Sequence, residues 1–197
     1  MTHAADAVAL QAQSDVTTQY NALASAPCTA DLSGQDLGGK VLTSGVYCFS
    51  SSAQLTGPLT LDAQGNPSAT FIFKTGSTLT TASGSRVAFL NGGTACGVAW
   101  QIGSSATLGT GTLFVGNLIA LTSITLNTGA SIMGRALARN GAVTLDTNNV
   151  SMASCSGGSV PTLSTWALIV LIGLLALAGF VTLSRRQSLP GAPHSGF

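Results

Sequence analysis

The spacing of hydrophobic positions changes once along this chain. In residues 4–26, Val8, Ala12, Val16, Tyr20 and Leu23 recur every three or four positions, which puts them on one stripe of a helix. Pro27 ends the stripe, because proline lacks an amide donor and disfavours helical geometry just before it. A lone helix with one apolar stripe must lie on something. From Leu42 onward the period falls to two, in short runs separated by Gly, Ser, Asn and Thr: Gly45-Val46-Tyr47-Cys48-Phe49, Ala69-Thr70-Phe71-Ile72-Phe73, Arg86-Val87-Ala88-Phe89-Leu90 and Gly97-Val98-Ala99-Trp100-Gln101.

A short phrase recurs through these runs: Thr60-Leu61-Asp62-Ala63, Thr78-Leu79-Thr80-Thr81, Thr107-Leu108-Gly109-Thr110, Thr125-Leu126-Asn127-Thr128 and Thr144-Leu145-Asp146-Thr147. The steps are 18, 29, 18 and 19 residues. About 18 residues is too short for a helical-hairpin repeat but suits one coil of a stacked β structure, in which equivalent residues align into columns. Alternation turns the aliphatics of Ile124-Thr125-Leu126 and Val143-Thr144-Leu145 inward and their threonines outward. The 29-residue step predicts one enlarged coil, with its excess around Asn91–Cys96. A more aliphatic run, Leu118-Ile119-Ala120-Leu121 and Ala136-Leu137-Ala138-Arg139, is the candidate surface for the helix. Three runs per coil predict a mostly β fold: a three-faced β-solenoid over about residues 42–152, one long helix alongside, and a domain spanning residues 1–155.

Only 7% of residues are charged, against about a quarter in an ordinary soluble domain. The net charge is +1, with no basic cluster before Arg185, which argues against a nucleic-acid partner. All six acidic residues are aspartates, and the two histidines, His3 and His194, sit at the ends. General acid–base and metal chemistry therefore lose most of their usual side chains, and no cofactor, metal site or catalytic residue is expected. Four cysteines suit an oxidised, exported protein. Cys28–Cys48 and Cys96–Cys155 are the favoured pairs among three connectivities, with four buried free thiols as the alternative.

Beyond a Gly/Ser linker at 156–160, residues 166–183 form an uncharged apolar stretch of transmembrane length, followed by Arg185-Arg186. The arginine pair predicts a cytoplasmic C-terminus, with residues 1 to about 160 outside and 187–197 as a tail. The N-terminus lacks a basic region followed by an apolar core, so the expectation is a chain shortened at its start.

The stretch Ser44–Val150 resembles the C-terminal part of the bacterial and fungal ice-binding (antifreeze) protein family. The likeness is carried by GVYCFSSSAQLTGPLTLDAQGNPSATFIFKTGSTLTTASGS, CGVAWQIGSSATLGTGTLFVGNLIALTSITLNTG and GRALARNGAVTLDTN. It implies a discontinuous β-solenoid whose helix is inserted between early and late coils, the first coils preceding residue 1. It also implies an ice-binding face with a Thr-(Ala/Gly)-x-(Thr/Asn) pattern. Here that pattern maps onto Thr81-Ala82-Ser83-Gly84, Thr110-Gly111-Thr112-Leu113, Thr128-Gly129-Ala130-Ser131 and, loosely, Thr147-Asn148-Asn149-Val150. The candidate contact residues are thus Thr81, Ser83, Thr110, Thr112, Thr128, Ser131 and Thr147. The outward column Thr78, Thr107, Thr125 and Thr144 is the fallback. Pro161, Thr162, Leu163, Trp166, Arg185 and Arg186 resemble an IPTL-CTERM sorting signal, which implies an exosortase-like transpeptidase as partner, a membrane-anchored precursor through 166–183, and delivery to the cell surface.

Neighbouring β strands lie about 4.7–4.9 Å apart, so a rigid threonine column can present hydroxyls and methyls at a near-crystalline repeat. Many weak contacts at that spacing act together. A surface adhesin or matrix protein without ice activity is the alternative, but sugar-binding faces use stacked aromatics and this threonine face has none. A β-helical polysaccharide lyase would need Asp62, Asp146, Arg135 and Arg139 to converge in one groove.

Overall fold

The helix of the computed structural model, which describes residues 6–153, runs over Ala7–Ser25. Asp6 caps it by accepting the amide of Ala9 at 2.9 Å, satisfying one of the orphan donors of the first turn. At the other end the amide of Ala26 returns to the carbonyl of Leu23. Only Tyr20 on this helix is fully buried, and its hydroxyl donates to the carbonyl of Ile102 at 3.3 Å. The Lys74 ammonium donates to the carbonyl of Ala26 at 2.6 Å, holding the last turn on the sheet beneath. A disulfide joins Cys28, just past the helix, to Cys48, 20 residues on. Closing a loop of that size removes roughly 3 kcal/mol of unfolded-chain entropy.

All strand pairs among the described residues are parallel. They form a ten-stranded and a five-stranded sheet. The helix face contains Ala30–Asp31, Gly45–Phe49, Phe71–Thr75, Val98–Ile102 and the second halves of Leu113–Ala120 and Ser131–Ala138. The second face is the five-stranded sheet: Ala53–Leu55, Leu79–Thr81, Ala106–Leu108, Ile124–Leu126 and Val143–Thr144, with Asp36 bridged to Gln54 at its edge. The third face contains Val41–Thr43, Pro58–Asp62, Arg86–Leu90, the first halves of the two long strands, and Asn149–Ser151. The chain visits the three faces in the same order six times.

This register corrects the sequence-based repeat. Gln54, Thr80, Thr107, Thr125 and Thr144 are stacked partners, so successive coils advance by 26, 27, 18 and 19 residues. Two coils are enlarged, not one, and both carry their extra residues at one corner, in Ala63–Thr70 and Asn91–Gly97. Thr60-Leu61 lies on the third face, and Thr78-Leu79 is two residues out of phase with Thr107-Leu108. The winding also begins at Ala30 rather than Leu42: residues 30–43 make a small first coil that pairs with the next on every face. In the last coil Val143, the stacked partner of the buried Ile124, and Leu145 are nevertheless exposed, at 38% and 54%, since no further coil covers them among the described residues.

The interior tapers along the stack. Tyr47, Phe73, Trp100, Leu118 and Ala136 occupy equivalent inward positions in successive coils. Aromatics fill the two enlarged coils and the one after them, with Phe73 and Trp100 stacked at 3.9 Å between ring centroids. Such contacts contribute about 0.5–1.5 kcal/mol beyond the area they bury. Leucine and then alanine suffice once the coils narrow. The indole N–H of Trp100 donates to the carbonyl of Val115 at 3.0 Å, so its burial leaves no donor unpaired.

Where the corner loops vanish, one eight-residue strand must serve two faces and bend between them. Gly116 and Gly134, stacked partners at φ +111° and +147°, make that bend. A Cβ on Gly134 would lie 2.1 Å from the carbonyl oxygen of Gly116, which is backbone and cannot yield. Gly65 is left-handed too, at φ +77°, but a Cβ there meets nothing within 4 Å. Gly134→Ala is expected to destabilise the domain by roughly 3 kcal/mol or more, and Gly65→Ala by only about 1 kcal/mol. Urea melts of the two variants check this; equal losses would mean the bend does not depend on close backbone approach.

Candidate functional site

The five-stranded face presents one outward residue per short strand. These are Gln54, Thr80, Thr107, Thr125 and Thr144, four threonines in consecutive coils. Thr80 and Thr144 are exposed, and Thr107 and Thr125 are half-buried by their neighbours in the column. Two residues earlier in each strand approach, Ser52, Thr78, Ser105 and Ser123 form a second row. Their hydroxyls are partly tied to one another: Ser52 to Thr78 at 2.8 Å, and the Ser123 amide to the Ser105 hydroxyl at 3.3 Å. A third row, Ser83, Thr110, Thr128 and Asp146, stacks at the corner leading to the third face, through amide-to-carbonyl bonds from Gly84, Gly111 and Gly129. The Thr128 hydroxyl donates to the carboxylate of Asp146.

The sequence-derived site residues are thus divided. Ser83, Thr110 and Thr128 come together at the corner and are exposed, while Ser131 is half-buried at the start of a third-face strand. Thr147 is exposed in the last coil with left-handed backbone, φ +55°, stacked on the glycine column of Gly129. Thr81 and Thr112 do not belong to any surface: they are 3% and 0% exposed. Their hydroxyls meet at 2.8 Å inside the corner; Thr81 accepts the Gly109 amide and Thr112 donates to the Ala82 carbonyl. Buried backbone groups freed by the turn need such partners, and a small hydroxyl supplies them without leaving a void. In the fallback column Thr107, Thr125 and Thr144 stand together, but the member from the earlier coil is Thr80, not Thr78. Alternation around Leu79 left both threonines facing out, and only the register chooses between them.

No groove gathers the polar residues considered for polysaccharide cleavage. Asp62 lies in the second coil and accepts from Gln64 and Asn91, whereas Asp146 lies in the sixth. The guanidinium of Arg139 sits 4.7 Å above the Tyr20 ring, and Arg135 reaches Asn117 at 3.4 Å. Every aspartate has structural work: Asp6 caps the helix, Asp15 receives Gln11, and Asp31, Asp36 and Asp62 each accept the amide two residues on, as turn-forming aspartates do. Among the described residues no cluster of metal-binding side chains occurs. Cys96 is disulfide-bonded, while Cys155, its expected partner, lies outside the described residues. So do the linker 156–160, the sorting residues Pro161, Thr162, Leu163, Trp166, Arg185 and Arg186, and the apolar stretch 166–183. No helix among the described residues is long and apolar enough to cross a membrane.

Residues 1–151 match the family model described as ice-binding-like. The chain belongs to the ice-binding-like family. Residues 159–187 match the IPTL-CTERM motif. An ice-binding protein of Nostoc sp. (strain HG1) is 65% identical over 149 residues, covering 75% of this chain and 55% of that protein. The crystal structure of an ice-binding protein from the Antarctic ascomycete Antarctomyces psychrotrophicus superposes with a TM-score of 0.72 at 41% identity, over 74% of this chain and 72% of the other. That of an ice-binding protein from an Antarctic biological consortium gives 0.73 at 46% identity, over 76% and 68%. The chain therefore spans about half the length of the Nostoc relative. It shares with these family members a mostly β fold with one helix beside a curled parallel sheet.

The hydroxyl column carries no titratable side chain, but its edge does. Burial pushes the Asp36 carboxyl up, yet the Thr56 hydroxyl, the amides of Gly38 and Thr56 and the charge of Lys40 outweigh it and hold it below the usual value. A lowered carboxyl contributes stability at pH values above its unfolded value, about 3.9, and loses it as pH falls through the folded value. Melting temperature is expected to drop on acidification below about pH 4, and less steeply in Asp36→Asn, which has no proton to take up. Parallel acid slopes for the two proteins would assign the acid sensitivity elsewhere.

Proposed function

We propose that this chain binds ice through the five-stranded face, with Thr80, Thr107, Thr125 and Thr144 at the centre and Thr110 and Thr128 along one rim. The observation that carries the reading is the in-register column of four outward threonines on a short, regular parallel ladder. Adjacent coils set a repeat of about 4.8 Å along the column, and the Ser52–Ser123 row lies about 6.6 Å away across it. The result is a grid of small hydroxyls and methyls fixed by the backbone. Water ordered over such a grid loses little further freedom on joining a crystal, and a charge would hold its own hydration shell instead. An adsorbed protein curves the growing ice front between anchor points and slows it.

In the same reading the described coils belong to a discontinuous β-solenoid, and the protein has no catalytic role. Residues 161–186 act as an IPTL-CTERM sorting signal with 166–183 as its membrane span, recognised by an exosortase-like transpeptidase, so that the ice-binding domain reaches the cell surface. Support for this part comes from the motif match at 159–187.

Two substitutions test the face. Thr125→Lys, at the centre, is expected to abolish thermal hysteresis while changing stability by no more than about 1 kcal/mol, since the side chain points outward and only its column neighbours half-bury it. Retained hysteresis in this variant would move the site off the face. Gln54 interrupts the column one coil before Thr80, and its amide leans across to the Thr56 hydroxyl at 3.3 Å. Gln54→Thr extends the column from four coils to five and is expected to raise hysteresis, because contacts at lattice spacing reinforce one another. An unchanged value would show that the four later coils already set the activity.

A further inference from the structure

Beneath the end of the helix the outward column of the helix face turns polar. Asp31, Cys48, Lys74 and Gln101 are consecutive stacked partners, and the column continues as Ile119 and Leu137. Along the apolar part Val8, Ala12 and Val16 face Leu137 and its neighbours across a cleft of about 490 Å³. Beside the polar part, where the helix lies nearest the strands Phe71–Thr75 and Val98–Ile102, is a second cleft, of about 530 Å³, bounded by Tyr20 and floored by the Cys28–Cys48 disulfide.

Two side chains in this cleft are incompletely used. Gln101 is only 6% exposed, yet its amide makes no hydrogen bond among the described residues. Its amide atoms reach solvent through the cleft, since Arg139 Nε is the one buried side-chain nitrogen or oxygen without a partner among the described residues. Lys74, half-buried on the adjacent strand, donates to the Ala26 carbonyl and takes part in no ion pair among the described residues. An ammonium and an amide one strand apart, about 4.8 Å, form a ready pair of donors for a carboxylate, which accepts charge-assisted bonds from both. Two strands from Lys74, roughly 10 Å between Cα atoms, stands Asp31. The hydroxyl and then the amide of Ser33 hold its carboxyl below the usual range, so it faces the cleft as an anion.

We infer that this cleft binds a short zwitterion, its carboxylate on Lys74 and Gln101, its cationic end toward Asp31, and its carbon chain lying across the disulfide. The site is independent of the threonine face, from which it is separated by the core. Nothing in it is placed to do chemistry on the ligand; it is a binding site.

γ-Aminobutyrate is the probe, with butyrate and butylamine as the halves of the molecule, titrated into the full-length chain and followed by calorimetry and by the side-chain amide resonances of Gln101. The expected result is saturable binding of γ-aminobutyrate with a shifted Gln101 amide, weaker binding of butyrate, and none of butylamine. Gln101→Met and Lys74→Met are each expected to weaken binding about tenfold. Lys74 also holds the helix end, so Gln101→Met, which touches no structural bond, is the decisive variant. Three results would overturn the proposal: no saturable binding of γ-aminobutyrate, undiminished binding in Gln101→Met, or butyrate binding as tightly as the zwitterion. Thr125→Lys should bind γ-aminobutyrate like the parent chain, so failure of either reading is seen separately.

Discussion

Parallel backbone pairing in register between coils is the constraint on which the rest of this molecule rests. Each strand hydrogen-bonds to its equivalents one coil before and after, so a residue's neighbours above and below are those at the same place in the winding. A choice of side chain is thereby repeated in space. Inward positions become the column from Tyr47 to Ala136, outward ones become the threonine column, and corners become stacked left-handed glycines at Gly84, Gly111 and Gly129. The spacing of a surface column is then a property of peptide geometry, not of any side chain. The ice-binding face proposed for this chain needs that independence, since flexible side chains could not hold a repeat unaided.

Stacking also explains how the fold manages with so little charge. Turns at the corners free amides and carbonyls that must be paired. In this chain small polar side chains do it locally: Ser85 accepts the Gly57 amide and donates to the Leu55 carbonyl, and Thr81 and Thr112 share the next corner. Asparagine and aspartate close the tighter turns, as Asn66 does for Ser68 and Asn148 for Asp146. Acidic residues are thus consumed as turn formers, and the hydroxyl face is left without a charged group except at its two ends, Asp36 and Asp146.

The two halves of the stack differ in how they are stiffened. The two enlarged coils and the one after them hold Phe71, Phe73 and Trp100 and are clamped by the helix, the disulfide and Lys74. Narrow later coils rely on continuous strands bent at Gly116 and Gly134. Thr80 belongs to the first kind and Thr125 to the second, so the proposed ice-contacting column runs across both without a break in register. The helix contributes to that continuity by lying against strands of both kinds, through Tyr20 at Ile102 and through the stacking of Arg139 on its ring.

The sequence by itself determined the helix, the switch to β period, the tendency of residues to point inward or outward within each run, and the family to which the phrases belong. These depend on local alternation and short-range chemistry, which a linear pattern carries fully. It did not determine which runs are neighbours. Thr78 and Thr80 are both outward by alternation, and Thr81 and Thr112 both fit a surface motif. Their fates were decided only by which coil each residue stacks upon and by the buried amides waiting at the corner. The first coil, residues 30–43, was equally illegible, because its strands are two or three residues long and have no pattern until the next coil pairs with them. Tertiary structure settles such matters because parallel pairing is non-local: a strand's register is fixed by a partner 18 to 27 residues away, and shifting it by one residue would turn every side chain to the opposite face.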